Sequence, residues 1–350
     1  YRLPFPVYWS GADISNLTFL NQLYMKGFGI ETLFVTLKQE PLEGIELLLK
    51  KRRYNPILKE NKLTYRWKSI DVNIVYEEDY FNQYHKLLNQ KHIDWVWHHN
   101  IFFKCPNYRL FFDVPDHVRH FVYLQSEEAL RLLEPFKENF DLFLSNSKFC
   151  QNLVTNYWGV DSHIIFPVPD VNDYENIYNN QNRHYITFIN PHISKGAEIV
   201  FNLIKRLPER TFLIVLGWQG MMPKEYDFTK FSNVIIQPSL ENINQVYYDS
   251  RLVLIPSLVN ETFGRVQVEA AYANVPSIVS RRGALAEVFS ENGLCLDVNR
   301  EIDDLVDDWI DAINFCFDEQ QYQKMVHHCL NMKRRFCLNR EVEKLSQLIG

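Results

Sequence analysis

The sequence predicts an α/β fold built from two Rossmann-like, doubly wound domains facing a central cleft. Three observations carry that reading. A strand, glycine, helix, strand order opens the chain, a Pro- and Asn-rich interruption follows residue 166, and the same alternation then restarts. At 350 residues the chain is long for one domain and sufficient for two, each with its own core.

In the first half, a short strand is expected at residues 7–9, then Gly11, a helix over 14–25 and a strand over 31–36. Later strands at 70–76, 95–98, 121–124, 142–144 and 164–168 continue the pattern. No G-x-G-x-x-G follows the first strand, which argues against a dinucleotide oxidoreductase. Pro167, Pro169 and the unpatterned segment 171–183 mark the hinge, giving a first domain over 1–167. The second, over 168–330, reads as strand 185–189, helix 197–207, strands 212–216 and 234–236, helix 242–248 and strand 252–255. After Asp297 the chain turns helical, over 302–317 and then through a polar segment to 349.

Composition narrows the function. Apolar residues make up 46% and charged residues 23%, the balance of a chain folded throughout. A formal net charge of −6 gives no general positive field for nucleic acid. The 6 cysteines show neither a C-x-x-C pair nor metal-ligand spacing, so they read as reduced thiols of a cytoplasmic protein. No apolar run reaches the roughly 18 residues of a membrane span, and residues 1–10 lack the build of a signal peptide. Lys50, Lys51, Arg52 and Arg53, on a helix starting near Leu42, form either a solvated face or a peripheral contact with anionic lipid at the inner side of a membrane.

The chemistry concentrates in residues 259–287, V-N-E-T-F-G-R-V-Q-V-E-A-A-Y-A-N-V-P-S-I-V-S-R-R-G-A-L-A-E. Glu261 falls in a loop at the C-terminal edge of a buried strand, where ligands of open α/β sheets collect. Thr262 can cap a helix whose first N–H groups, at Phe263, Gly264 and Arg265, form a seat for a phosphate. Glu269 lies further along that helix. Two acceptor-only carboxylates flanking an anion seat suit a ligand with hydroxyls on both sides of a diphosphate, a nucleotide sugar. Ser194-Lys195-Gly196, between another strand and its helix, supplies a cation for the β-phosphate.

Glu261 and Glu269 within E-T-F-G-R-V-Q-V-E-A, followed by N-V-P-S-I-V, Gly283 and Glu287, resemble the signature of retaining glycosyltransferases of family 4, which have the GT-B fold. The resemblance implies that Glu261 meets the donor sugar, Glu269 the ribose hydroxyls, Lys195 with Gly196 the β-phosphate, and Gly11 and Gly283 turns facing the diphosphate. Gly217 and Gln237 would line the edge that holds the base. The arginine usual five residues before the lysine is here Asn190. His98 and His99, at a strand end, are the catalytic histidine candidates or else polar loop residues. The position where many members carry their sugar-facing histidine reads Gln125, which with Glu127 becomes an acceptor contact; Glu127 and Glu128 could equally cap a helix.

The implied activity is retaining transfer of a hexose from a nucleotide-diphosphate sugar, a UDP-sugar by preference, to a hydroxyl of a glycan or lipid-linked acceptor. No metal or other cofactor is expected. The implied terminal helix, in 331–350, crosses back to the first domain. The rival reading is a nucleotide-sugar-binding protein of the same fold without turnover.

Overall fold

Runs of Val, Ile, Leu and Phe too short for helices alternate with amphipathic stretches along most of the chain, and the strands and helices follow those two periods. The computed structural model describes residues 11–36, 40–99, 108–174, 183–217, 222–240, 243–289 and 294–350. The strand expected at 7–9 lies outside these residues. The chain divides into two compact units, Tyr1–Asn146 with Cys150–Pro167 and Asn339–Gly350, and Ser147–Phe149 with Val168–Leu338.

The first unit contains α1 (Gly11–Met25), β1 (Phe34–Thr36), α2 (Leu42–Lys51), β2 (Ile57–Lys59), β3 (Lys62–Trp67), β4 (Ile70–Tyr76) and α3 (Glu77–Gln90). Then come β5 (Trp95–His99), β6 (Arg119–Leu124), α4 (Glu127–Leu133), β7 (Leu142–Ser145), α5 (Lys148–Trp158) and β8 (His163–Ile164). Strands β5, β6, β7 and β8 form a parallel sheet in sequence order. The other sheet, β1-β4-β3-β2, departs from the expected parallel alternation, because β2, β3 and β4 are an antiparallel meander. Glu60 and Asn61 turn its first hairpin with φ of 46° and 59°, the two consecutive positive values of a tight hairpin turn.

The second unit holds β9 (Tyr185–Ile189), α6 (Ala197–Arg206), β10 (Phe212–Val215), β11 (Val234–Gln237), α7 (Asn244–Asp249), β12 (Ser250–Ile255) and α8 (Arg265–Tyr272). It continues with β13 (Ser277–Ser280), α9 (Leu285–Phe289), β14 (Leu294–Leu296), α10 (Ile302–Phe317) and α11 (Glu319–Arg335). Its sheet is parallel throughout, in the order β11-β10-β9-β12-β13-β14. Strands β10 and β13 are buried at every position, as a sheet covered on both faces requires. On one face Phe188, Ile214, Leu254 and Ile278 pack with Ile199 and Leu203 of α6 and with Trp309 and Ile313 of α10.

The polar segment after residue 317 is two helices. Asp318 caps α11 by accepting the Gln321 N–H at 3.0 Å. The last, α12 (Leu338–Ile349), is grouped with the first unit. There the buried Glu341 accepts the Phe166 N–H at 3.0 Å, and Glu343 pairs with Lys26 at 2.6 Å.

Candidate active site

Strand order reverses between β9 and β12, and the C-terminal ends of the strands at such a reversal are where open α/β sheets hold ligands. Lys195 lies on the loop after β9 and Glu261 on the loop after β12. The loops are bonded to each other, since Leu258 N–H donates to the Ser194 carbonyl at 2.9 Å. Gly196, at φ 84°, permits the approach: a Cβ there would lie 2.2 Å from the Pro256 oxygen.

Lys195 Nζ stands 2.5 Å from Glu261 Oε1, with the two side chains 31% and 19% exposed. Ser257 Oγ donates to the same oxygen at 2.7 Å, and the Ser257 carbonyl accepts from Ser280 Oγ at the end of β13. Both donors converge on Oε1, so Oε2 is left without a partner among the described residues. A cation with spare N–H donors thus sits beside an acceptor with a spare oxygen.

Gly283 adjoins Glu261 through an isolated parallel bridge, and Ala284 N–H donates to the Glu261 carbonyl at 2.7 Å. Gly264, and not Thr262, is the N-cap of α8, at φ 80°, and no side chain caps it. A left-handed residue can turn the chain into a helix here where a threonine would be strained. A Cβ at 264 would also meet Leu285 Cδ2 at 2.4 Å. The Phe263 ring is buried in the core, 5.7 Å from Phe336 edge-on, so the ligand contact expected of this residue can come only from its main chain.

Glu269 is buried on α8 with both oxygens engaged: Arg265 Nε donates to Oε1 at 2.5 Å and Tyr247 Oη–H to Oε2 at 3.0 Å. Asn190 takes a left-handed φ of 61°, which asparagine tolerates and arginine disfavours. Its side chain covers Gly217, where a Cβ would lie 2.4 Å from Asn190 Oδ1. Gln237 pairs with Val215 across β11 and β10, and its carbonyl accepts the Leu216 N–H at 2.9 Å. Within the second unit the Glu287 carboxylate is engaged at both oxygens, accepting the Lys148 and Phe149 N–H groups at 2.7 Å and 2.8 Å. Ser145, at the end of β7, shares a hydrogen bond with Ser162 Oγ at 2.6 Å.

In the first unit the histidine expectation meets a different environment. His98 is buried with both ring nitrogens bonded, Nδ1 to Tyr108 Oη at 2.9 Å and Nε2 to His120 Nδ1 at 2.9 Å, among the rings of Phe111, Phe112 and Phe140. That is a core position rather than an open strand end. Burial pulls the His120 pKa below its ordinary value, against an opposing pull from Asp141. His99 continues β5; its side chain lies outside the described residues. Gln125 is buried, and its Oε1 accepts Asn16 Nδ2 at 3.2 Å, a link to α1 that the sequence did not disclose. Glu127 opens α4, whose cap is Ser126, accepting the Ala129 N–H at 3.1 Å. Gly11 is the first residue of α1 and its carbonyl accepts from Ser15 Oγ.

Among the described residues no group of three or more His, Cys, Asp and Glu stands ready for a metal ion, and no helix is long and apolar enough to cross a membrane. Ser257, Tyr247 and Asn16 are the polar groups that sequence reasoning missed. Only Ser257 left a trace, as a hydroxyl directly after the apolar run that ends at Pro256.

Residues 183–317 match the family model described as Glycosyl transferases group 1. No curated protein matches the sequence. Among solved structures, Anabaena Alr3699/HepE in complex with UDP and glucose superposes with a TM-score of 0.69 at 16% identity, over 97% of this chain and 96% of that one. A glycosyltransferase from Rickettsia africae ESF-5 gives 0.69 at 13% identity, over 99% and 96%. Sucrose-phosphate synthase from Thermosynechococcus elongatus gives 0.66 at 15%, over 96% and 92%. The chain therefore has the GT-B glycosyltransferase fold, and its second unit is similar in sequence to the group 1 glycosyl transferases.

Proposed function

We propose that the chain is a retaining glycosyltransferase that moves a hexose from a nucleotide-diphosphate sugar to a hydroxyl of a glycan or lipid-linked saccharide. The observation that carries this is the Lys195–Glu261 pair on the two loops at the sheet's reversal point. When the sugar leaves, negative charge grows on the β-phosphate, and Lys195 is the ammonium that can meet it with its spare donors. Glu261 Oε2 is the acceptor for a sugar hydroxyl. Ser257 keeps Glu261 in place while the lysine turns toward phosphate. The N–H groups at the start of α8 and the Gly283 turn add donors to the diphosphate seat. Uracil is favoured as the base because similar structures are described with UDP-glucose, or with UDP and sugar. Catalysis rests on the lysine and on backbone dipoles, with no metal. Gln125 and Glu127 contribute to the acceptor side, and Lys50, Lys51, Arg52 and Arg53 give peripheral contact with the cytoplasmic face of a membrane.

Lys195→Ala and Glu261→Gln test the proposal directly, with UDP release from UDP-glucose as the readout and EDTA present throughout. Removing a central charge-stabilising donor costs about 2.7 to 4 kcal/mol, so each variant is expected to lose on the order of a hundredfold or more in kcat. Unchanged turnover in both would end the assignment, and a product of inverted anomeric configuration would end its retaining part. Asn190 in place of an arginine favours a second reading, a nucleotide-sugar-binding protein without turnover. It predicts that wild-type protein binds UDP-glucose and returns it intact.

A further inference from the structure

Glu269 is held at both carboxylate oxygens, and one of the two anchors is Tyr247. Tyr247, on α7, has no exposed surface, yet it is a tyrosine and not a phenylalanine. Its hydroxyl is spent on Glu269 Oε2 at 3.0 Å, while Arg265 Nε holds Oε1 at 2.5 Å. Burial first, and the Glu269 charge second, push the Tyr247 phenol well above its ordinary range, so this hydroxyl stays a donor.

Two consequences follow from that arrangement. An ionised carboxylate has about four acceptor sites, two on each oxygen. One on each oxygen is used by the protein, which leaves one on each for a ligand. The two anchors also stop rotation about the terminal carboxylate bond, a torsion with broad wells when unrestrained. A carboxylate held at both oxygens with one vacancy on each is matched to a vicinal diol, which presents two O–H donors side by side. Glu269 is 8% exposed, so it is largely shielded from bulk water. Tyr174 packs behind Tyr247, with ring centroids 6.3 Å apart, and backs the clamp with apolar surface.

We infer that Tyr247 is a positioning residue that sets the Glu269 carboxylate to receive the 2′- and 3′-hydroxyls of the donor's ribose. The inference rests on the nucleotide-sugar reading above and adds to it the group that enforces ribose recognition. If Tyr247 served only to fill the core, phenylalanine would serve as well.

The test compares Tyr247→Phe with wild type by calorimetric binding of UDP and of 2′-deoxy-UDP, with GDP, ADP and their 2′-deoxy forms alongside. The affinity ratio within one protein reports only on its folded fraction, so a stability loss in the variant does not blur it. Wild type is expected to prefer the ribonucleotide by about tenfold or more, the worth of a hydrogen bond to a charged group. Tyr247→Phe is expected to bring the ratio to within about twofold of unity while saturated kcat holds and donor KM rises, and Glu269→Gln to abolish the preference. A preference kept by Tyr247→Phe, or absent from wild type that binds UDP well, would overturn the inference alone. Wild type that binds no nucleoside diphosphate of the panel would overturn the nucleotide-sugar reading and the inference with it.

Discussion

Lys195 and Glu261 were legible in the sequence because position and chemistry coincide in them: both fall in loops that follow buried strands, on the edge where open α/β sheets hold ligands. Which atoms they touch was not legible. Ser257 and Tyr247 reach Glu261 and Glu269 through side-chain approaches fixed by tertiary packing, and no periodicity encodes a hydroxyl's partner. His98 shows the converse. Its strand end was readable, but which face of β5 it occupies depends on pairing register, and that register turns it onto Tyr108 and His120. Glycines allow a sharper test at this scale. Gly159 has a φ of 71° with nothing within 4 Å of an added Cβ, whereas Gly196 combines φ 84° with the Pro256 carbonyl at 2.2 Å. Gly159→Ala is expected to cost about 1 to 2 kcal/mol from the left-handed backbone alone. Gly196→Ala adds an overpacking cost of about 1 to 3 kcal/mol and separates the two loops of the site. Urea unfolding of both variants measures the difference, and equal costs would contradict the close-approach account.

Alternation of buried strands and amphipathic helices made the second unit readable as far as β12, whereas β13, α9 and β14, each five residues or fewer, were not read as elements. The meander of the first unit was passed over because its turn residues, Glu60 and Asn61, are a weak signal, although Leu63, Tyr65 and Trp67 alternate inward as a strand should. Helix α1 also hides its logic, burying Asp13, Ser15, Asn16, Thr18 and Asn21 together with Leu17, Phe19 and Leu23. The hydrogen-bonded run Tyr108, His98, His120 links β5 and β6, and through His120 the stability of that sheet is expected to depend on pH. His120 has a folded-state pKa below its ordinary 6.5 because burial disfavours the imidazolium. The unfolded chain then takes up a proton that the folded chain resists. The resulting stability is intact above about pH 6.5 and is lost as pH falls toward the depressed folded value. Melting temperature followed from about pH 7.5 to 5 is expected to fall more steeply for wild type than for His120→Gln. Parallel slopes would remove His120 from the account.

At the scale of the whole chain, a net charge of −6 coexists with a short cationic run at the end of α2. Lys50, Lys51 and Arg53 are exposed, and Lys50 is already shared with Glu46 at 2.8 Å. Each charge near an anionic surface brings on the order of 1 kcal/mol, so co-sedimentation with phosphatidylserine vesicles is expected to be weak and reversible. It should vanish near 1 M salt, where screening shortens to about 3 Å, and in the double variant Lys50→Glu, Lys51→Glu. Vesicle binding indifferent to salt and to those substitutions would exclude the run as the contact. The chain divides at Pro167, where the strand and helix pattern breaks, and α12 returns to the first unit, where Glu341 accepts the Phe166 N–H; the resemblance implied a returning terminal helix, but not the contact that holds it. That return has a consequence for biogenesis. As the polypeptide emerges from the ribosome, the half that is translated first must wait, one helix short, until residues 339–350 have cleared the exit tunnel, while the half translated later can close ahead of it.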